Sequence, residues 1–233
     1  MTALFLAYTW SDDELWGLPR RWDVAVLAAL VLPASTALVW LALPLALRER
    51  RHPIALPALA GVAAVALGLL GLESPFTLAK LAAFCLVGFA VLWAFHALWW
   101  ITLVAALVAW VDVWSVATGP TRHLIEERPG LIEQVAVGFP VPGEASVLYL
   151  GPPDIIFFAL FLGAAARFGL RVGATWVAMT GFLSLTLAVV VLADISGLPA
   201  LPAVCAGFLL PNADLLLRDA RAAWRARGSR RAA

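Results

Sequence analysis

Long apolar runs separated by short polar stretches dominate the pattern of this chain. About 20 consecutive apolar residues are enough to cross the hydrocarbon core of a bilayer, so each run of that length predicts a transmembrane helix. The runs that we assign as spans cover residues 24–47, 54–72, 77–96, 98–118, 148–168, 172–193 and 198–217. The pattern therefore predicts an all-α fold, a polytopic transmembrane helical bundle of about seven spans.

The polar residues divide the chain into three parts. Residues 1–97 hold an N-terminal segment and about three spans. Residues 98–217 hold about four spans and a long polar segment, 119–147, which we predict to be a loop with a short helix over 121–127. Residues 218–233 form a basic tail with six arginines, which favours a helix that is solvated or bound to anionic lipid headgroups.

Composition narrows the class of protein. Of the 233 residues, 63% are apolar and 13% are charged, against roughly 25% charged residues in an average soluble domain. One soluble core could not hide so much apolar surface, which excludes a soluble enzyme, a disordered chain and a nucleic-acid-binding domain. With a formal net charge of +1, the chain has no strong positive field that would attract polyanions. Two cysteines and three scattered histidines predict no metal site.

Two aspartates lie inside predicted spans, where a charged side chain costs about 3 kcal/mol or more and needs a reason. Asp112 lies near the end of the span 98–118, and Asp154 lies near the start of the span 148–168. A single loop joins these two spans, so they run antiparallel. At ~1.5 Å per residue, both aspartates fall roughly 10 Å from the loop end of their helices. Their carboxyls are therefore expected to face each other.

Two facing carboxyls can share one proton, because like charges in contact do not both ionise. One carboxylate then takes a proton from water while the other, protonated, polarises a peptide carbonyl, which is the chemistry of an aspartic protease. The same pair also fits a structural role or an ion path in a transporter. The two aspartates by themselves leave these interpretations open.

Two prolines, Pro199 and Pro202, open the last predicted span and remove backbone donors there. Irregular backbone at membrane depth occurs only beside a cavity or inside protein. A protease must hold its substrate extended, and unpaired backbone at a broken helix start could bind such a substrate by strand addition. The simpler interpretation is a helix that starts at a proline near the membrane interface.

Other charged residues in or near the spans have simpler explanations. Asp194 and Asp214 lie near span ends, where water at the interface is expected to solvate them. Lys80 and Glu73 could pair across a turn.

Three short motifs follow one another along the second half of the chain. They are Val111-Asp112, Gly151-Pro-Pro-Asp154 and Pro199-Ala200-Leu201. In this order they resemble the Tyr-Asp, Gly-x-Gly-Asp and Pro-Ala-Leu motifs of the presenilin and signal peptide peptidase family of intramembrane aspartyl proteases. The resemblance covers residues 98–210, about half of the chain, and implies a presenilin-like catalytic core.

The resemblance also implies roles for particular residues. Asp112 and Asp154 would be the catalytic pair. The residues implied to bind substrate and shape the site are Gly151, Pro152, Pro153, Pro199, Ala200 and Leu201. The implied substrate is a transmembrane helical peptide, from a membrane protein or a remnant signal peptide, that is reached through the lipid bilayer. Hydrolysis would use water with no metal or cofactor, and no obligatory partner subunit is expected.

Two positions depart from the family pattern. Val111 stands where the family has tyrosine, and Pro153 stands where it has a second glycine. Because proline is tolerated in the first turn of a helix, we predict that the Gly-Pro-Pro sequence starts the helix and leaves residues 145–150 extended. Asp154 would then lie near a helix N-terminus, where the helix dipole favours an anion. The family usually has nine spans, whereas this chain has room for about seven.

The basic residues predict the orientation in the membrane. With seven spans, five basic residues fall on one side and eleven, including the tail, on the other. The positive-inside rule places the larger set in the cytoplasm and the segment 119–147 outside, in what we expect to be the plasma membrane. Two other functions stay open: a catalytically impaired homologue of the family, and a small transporter or channel that uses the two aspartates as a proton or ion relay.

Overall fold

The computed structural model of the chain describes residues 20–47, 55–118, 136–140, 147–193 and 198–231. These residues are predominantly helical, which confirms the all-α part of the predicted fold class. In the described part of the chain, five helical stretches are long and apolar enough to cross a membrane: Val24–Leu47, Pro75–Leu92, Leu98–Ser115, Val172–Val190 and Leu201–Ala222. Such stretches are typical of a membrane protein.

The first span is built from consecutive helical pieces. Helix α1 (Arg20–Val26) leads into a π-helical turn (Leu27–Val31), which is followed by α2 (Leu32–Leu41) and α3 (Leu43–Leu47). Pro33 in the first turn of α2 has no N–H, so the carbonyl of Ala28, five residues earlier, cannot receive the usual π-helical bond. The Ser184 hydroxyl donates to that carbonyl instead, at 2.8 Å, and ties the first span to a later helix.

Three helices and two turns continue the bundle. Helix α4 (Ala55–Leu69) is joined to α5 (Glu73–Leu92) by a turn in which Gly71 has a φ of +69°, a conformation that favours glycine. Helix α6 (Leu98–Thr118) follows after a second turn. The predicted span 77–96 is wrong at its end, because the backbone tightens at residues 93–95 through bonds to carbonyls three residues earlier and leaves the α-helix at Leu92.

An antiparallel hairpin begins in the segment 119–147 that the sequence predicts to be a loop and extends into the predicted span 148–168. Strands β1 (Val137–Pro140) and β2 (Val147–Leu150) pair with Val137 opposite Leu150. Residues 119–135, with the predicted short helix over 121–127, and residues 141–146 lie outside the described residues. Only Gly151 separates the end of β2 from the start of helix α7 (Pro152–Arg167), so the predicted span 148–168 starts too early. The extended backbone of Gly151 and the two prolines that open α7 set this start.

Two long helices complete the chain. A turn with Gly169 at a φ of +67° leads from α7 into α8 (Val172–Leu192). Helix α9 (Leu201–Arg231) starts three residues later than the predicted span 198–217 and continues without a break through the predicted tail. The described residues of the tail are therefore helical, as expected, and they extend the last span.

Helix α7 forms the centre of the bundle. It packs against α5, α8 and α9, and the residues that it buries completely or nearly so include Phe158, Phe161 and Ala165. A Cβ atom at Gly88 of α5 would collide with the carbonyl oxygen of Ile156, so a side chain there would push α5 and α7 apart. Helices α4 and α7 have 15 and 16 residues, which is shorter than the five long spans, and the count of about seven spans stays a prediction.

Candidate functional site

Asp112 lies on α6, near the end of the helix that precedes the undescribed residues 119–135. Helix α6 is the least buried of the five long spans, and it packs mainly along α9. The Asp112 side chain is half-buried on this packed side, where its Oδ2 accepts a hydrogen bond from the backbone N–H of Leu201 at 3.1 Å. Two motifs that are 89 residues apart in the chain are thus joined by one bond.

The start of α9 explains why Leu201 has a donor to offer. Residues 198–200 are not helical, and the Ala200 carbonyl accepts from the N–H groups of Ala203 and Val204 at 3.1 and 3.2 Å. Leu201 is the first helical residue, and the first N–H groups of a helix have no partner within the helix. Asp112 supplies the missing acceptor from the neighbouring helix. The Pro199-Ala200-Leu201 motif therefore presents a backbone donor to Asp112.

Asp154 occupies the first turn of α7. Its Oδ2 reaches back and accepts a hydrogen bond at 3.0 Å from the N–H of Gly151, the residue that caps the helix. Pro152 and Pro153 fill the two positions between them, where their missing N–H groups cost nothing. A Cβ at Gly151 would lie 3.2 Å from Asp154 Oδ2, so glycine leaves the carboxylate room to bend back. The prediction that Gly151-Pro-Pro starts the helix and follows extended backbone is confirmed for the described residues.

The two aspartates, which we call the dyad, lie on helices that contact each other, α6 and α7, and each is within range of the other's charge. Asp154 lies in the less solvated environment of the two. In the described part of the chain, each carboxylate accepts one backbone hydrogen bond, through its Oδ2. Coulomb repulsion between like charges grows as the local dielectric constant falls, so such a pair favours holding one proton between its members.

One departure from the family pattern has little effect on the geometry. Val111, which stands in place of tyrosine, is 60% exposed on the side of α6 that does not face the helix bundle. Its side chain is therefore remote from the packed side of α6 that carries Asp112. The position that lost a hydroxyl does not line the dyad.

Cys205 is a neighbour of the dyad that sequence reasoning missed. It lies one turn after Leu201 on the same face of α9, and its buried thiol interacts electrostatically with Asp112. The spacing of four residues from the Pro-Ala-Leu motif was the only sequence signal for this placement. Among the described residues, no group of three or more His, Cys, Asp or Glu side chains could hold a metal ion.

The arrangement places two carboxylates and a broken helix start on the same side of the bundle, between α6, α7 and α9. The chain matches no family model, no curated protein and no solved structure. The geometry of Asp112, Asp154 and Leu201 is therefore the basis for a functional conclusion.

Proposed function

We propose that this protein is an intramembrane aspartyl protease in which Asp112 and Asp154 activate water to hydrolyse peptide bonds within transmembrane segments. The observation that carries this proposal is the hydrogen bond from Leu201 to Asp112, which lies beside Asp154. This bond joins two of the three motifs that carry the family resemblance, and the remaining motif supplies the neighbouring Asp154. A proton relay needs the two carboxylates, but it does not need the Pro199-Ala200-Leu201 motif at the same place.

The chemistry follows from one proton shared by two carboxyls. The ionised carboxylate takes a proton from water, and the water oxygen attacks the peptide carbonyl carbon. The protonated carboxyl donates to the carbonyl oxygen as it gains charge. When the tetrahedral intermediate collapses, one of its hydroxyls returns a proton to the ionised carboxylate, the C–N bond breaks, and the leaving nitrogen takes a proton from the other carboxyl. Two products and the original protonation state result, with no metal or cofactor in the scheme.

The remaining site residues position the groups that react. Gly151 holds the Asp154 carboxylate, and Pro152 with Pro153 starts α7 so that this carboxylate lies at the helix N-terminus. Pro199 and Ala200 keep the chain irregular before Leu201, which supports a role for this segment in binding an extended substrate. These assignments extend the family resemblance to the residues that surround the dyad.

The substrate in this proposal is a transmembrane helical peptide that enters from the bilayer. Helix α6 carries Asp112 and has most of its surface outside the bundle, which gives a lipid-borne peptide a route to the dyad. We place the basic tail in the cytoplasm and the hairpin side outside, in the plasma membrane, because of the positive-inside rule. The proposal includes no partner subunit and no nucleic acid.

A cleavage assay with the purified full chain tests the proposal. A transmembrane peptide with a fluorophore and quencher at its two ends is mixed with the chain in detergent micelles. We expect cleavage that Asp112→Ala and Asp154→Ala each abolish. Asp219→Ala is a matched control, because it removes an aspartate of α9 that lies 18 positions after Leu201, and it should cleave normally.

Cleavage that persists in Asp112→Ala or Asp154→Ala contradicts the proposal. A chain that cleaves nothing, but moves protons across a vesicle membrane until either aspartate is replaced, supports the relay function instead.

A further inference from the structure

A lysine is buried in α5 on the side of the bundle that holds the dyad. Lys80 lies about two turns after the start of α5, and only 7% of its surface is exposed. An ammonium group in such a place costs free energy unless it has partners. Its Nζ donates to the backbone carbonyl of Ala136 at 2.6 Å and lies 4.3 Å from the ring centroid of Phe76. The sequence suggested only a pair with Glu73, whose side chain is not described.

Ala136 connects this lysine to the second aspartate. It comes immediately before β1, in which Val137 pairs with Leu150 of β2. The same register continued by one residue places Ala136 opposite Gly151. The N–H of Gly151 is the group that holds Asp154 Oδ2 at 3.0 Å. Lys80 therefore donates to the backbone directly across the strand pair from Gly151, the residue whose N–H orients the Asp154 carboxylate.

Helix α5, which carries Lys80, is itself packed closely against α7. At Gly88, two turns further along α5, the helix lies so close to the carbonyl of Ile156 that no side chain fits between them. Ile156 belongs to the first turns of α7, two residues after Asp154. The start of α7 is thus linked to α5 in two places. One is the hairpin, whose first strand follows the Ala136 carbonyl that Lys80 binds, and the other is the direct helix contact at Gly88.

We infer that Lys80 is a positioning residue of the proposed protease, which holds the hairpin at Ala136 and thereby aims the Asp154 carboxylate at Asp112. This inference rests on the proposed function. Lys80 contacts neither Asp154 nor the reacting atoms, so its effect is on placement. A misplacement of about 1 Å in a catalytic group can lower the rate about 100-fold.

The test compares Lys80→Met and Lys80→Arg in the full chain. Arg167→Met is a matched control: the Arg167 guanidinium also donates to a backbone carbonyl, that of Leu92 at 2.9 Å, and also lies over an aromatic ring, that of Trp93 at 4.7 Å. That contact joins the same two helices, α5 and α7, at the end away from the dyad. The two readouts are the steady-state kinetics of peptide cleavage and amide hydrogen exchange of residues 147–151 and Asp154.

We expect Lys80→Met to lower kcat by about tenfold to about 100-fold while KM stays nearly constant, because substrate binding does not depend on the aim of Asp154. Exchange of the amides at 147–151 and at Asp154 should become about tenfold faster in the same variant. Lys80→Arg should restore most of both properties, and Arg167→Met should change neither. If Lys80→Met does not fold, Phe76→Leu replaces it and should shift both readouts in the same direction by less.

Normal kcat and normal exchange in Lys80→Met overturn the inference, as does an Arg167→Met variant that reproduces both defects. The two proposals fail separately. A wild-type chain without cleavage removes the proposed protease, and the exchange readout then still shows whether Lys80 holds the hairpin. A chain that cleaves, with a Lys80→Met variant of normal kcat, removes only the role of Lys80.

Discussion

Two regions of α9 carry polar contacts with neighbouring helices, and the charges in these contacts are arranged in opposite ways. Near the middle of α9, Asn212 and Asp214 meet Arg171 and Thr175 at the start of α8, and we call these four residues the far-end cluster. At the beginning of α9, roughly 16 Å away along the helix axis, Leu201 meets the dyad. The first place joins opposite charges, and the second brings like charges together.

The polar groups of the far-end cluster satisfy one another. The Arg171 guanidinium binds both oxygens of Asp214 at 2.6 and 2.8 Å and also donates to the Pro211 carbonyl. Asn212 is fully buried, accepts from the Arg171 N–H, and donates to the Thr175 hydroxyl and the Phe208 carbonyl. The hydrogen bonds and charge of Asp214 raise the pKa of the Arg171 guanidinium above its usual value. A cluster of this kind holds helices together.

In the dyad, by contrast, the neighbouring side-chain charges have the same sign. Its two carboxylates repel each other, and each accepts one backbone hydrogen bond within the described part of the chain. Such an arrangement costs stability, and proteins keep it where function needs it. The number of acidic residues near a membrane helix therefore says little about function. The sign of the neighbouring charges is what distinguishes a structural contact from a candidate site.

The largest effect that this comparison predicts comes from neutralising one member of the dyad. Asp112→Asn and Asp154→Asn should each lower the cleavage rate by about 10²- to 10⁴-fold, since an acid or base is lost. Their melting temperature should stay equal or rise, because asparagine keeps an oxygen acceptor and ends the repulsion. Asp214→Asn should have the reverse effect, with normal cleavage and a lower melting temperature. Peptide cleavage and thermal unfolding in detergent measure both properties.

A lower unfolding temperature for Asp112→Asn and Asp154→Asn than for Asp214→Asn would contradict this distinction between the dyad and the far-end cluster. The dyad would then be a structural contact like the far-end cluster.

A smaller effect should come from the backbone donor at Leu201. Leu201→Pro removes only the N–H and the leucine side chain, and proline is tolerated at the first position of a helix. Leu201→Ala removes the side chain alone. We expect Leu201→Pro to cleave about 10- to 100-fold more slowly than Leu201→Ala, because Asp112 loses the bond that orients it. Equal rates in the two variants would show that the N–H has no part in the reaction.

Asn212→Leu should act on stability and hardly on chemistry. It leaves the N–H of Arg171 without its acceptor and removes the donor to the Thr175 hydroxyl, which keeps its bond to the Arg171 carbonyl. The loss should be about 1–3 kcal/mol in the free energy of unfolding. Cleavage per folded molecule should stay near that of the original chain. The measurement is denaturant unfolding in mixed micelles with cleavage recorded on the same samples. A large fall in kcat with unchanged stability would assign the far-end cluster to the site after all.

The smallest effect should come from a single hydrogen bond between helices. Thr36 on α2 and Thr180 on α8 are both buried, and their hydroxyls lie 3.0 Å apart. Thr180→Val should lower the free energy of unfolding by about 0.6 kcal/mol, the average for such bonds in membranes. Thr186→Val is the control, since the Thr186 hydroxyl bonds only within its own helix in the described residues. Equal losses in the two variants would show that the link between α2 and α8 adds nothing.

Much of the fold could be predicted because apolar runs of span length become helices in either a membrane or an apolar core. The boundaries of α6 agree with the predicted span 98–118. The errors fall where local backbone chemistry overrides hydropathy: the apolar residues 148–150 pair as a strand, and the two prolines delay the helix to Pro152. Hydropathy alone cannot separate a short apolar strand from the first turn of a span.

The site was less accessible to sequence reasoning. Matched depth on two consecutive spans predicted that Asp112 and Asp154 face each other, and the structure places them on two helices in contact, α6 and α7. The contact of Leu201 with Asp112 is between residues 89 positions apart, and only the family resemblance pointed to it. Asp214 was expected to be solvated, and its side chain is 45% exposed, but its pairing with Arg171 was not predicted. That pair depends on how α8 and α9 pack, which no spacing within one helix reveals.

Isotope-edited infrared spectroscopy of the full chain, labelled at its aspartates, tests most directly whether Asp112 and Asp154 act as one unit. We predict a protonated-carboxyl band near neutral pH that disappears, or changes its titration midpoint, in both Asp112→Asn and Asp154→Asn. Asp214→Asn should leave this band as it is. A band that is unchanged in either of the first two variants would show that the carboxyls titrate independently, and would contradict the shared proton on which the proposed protease depends.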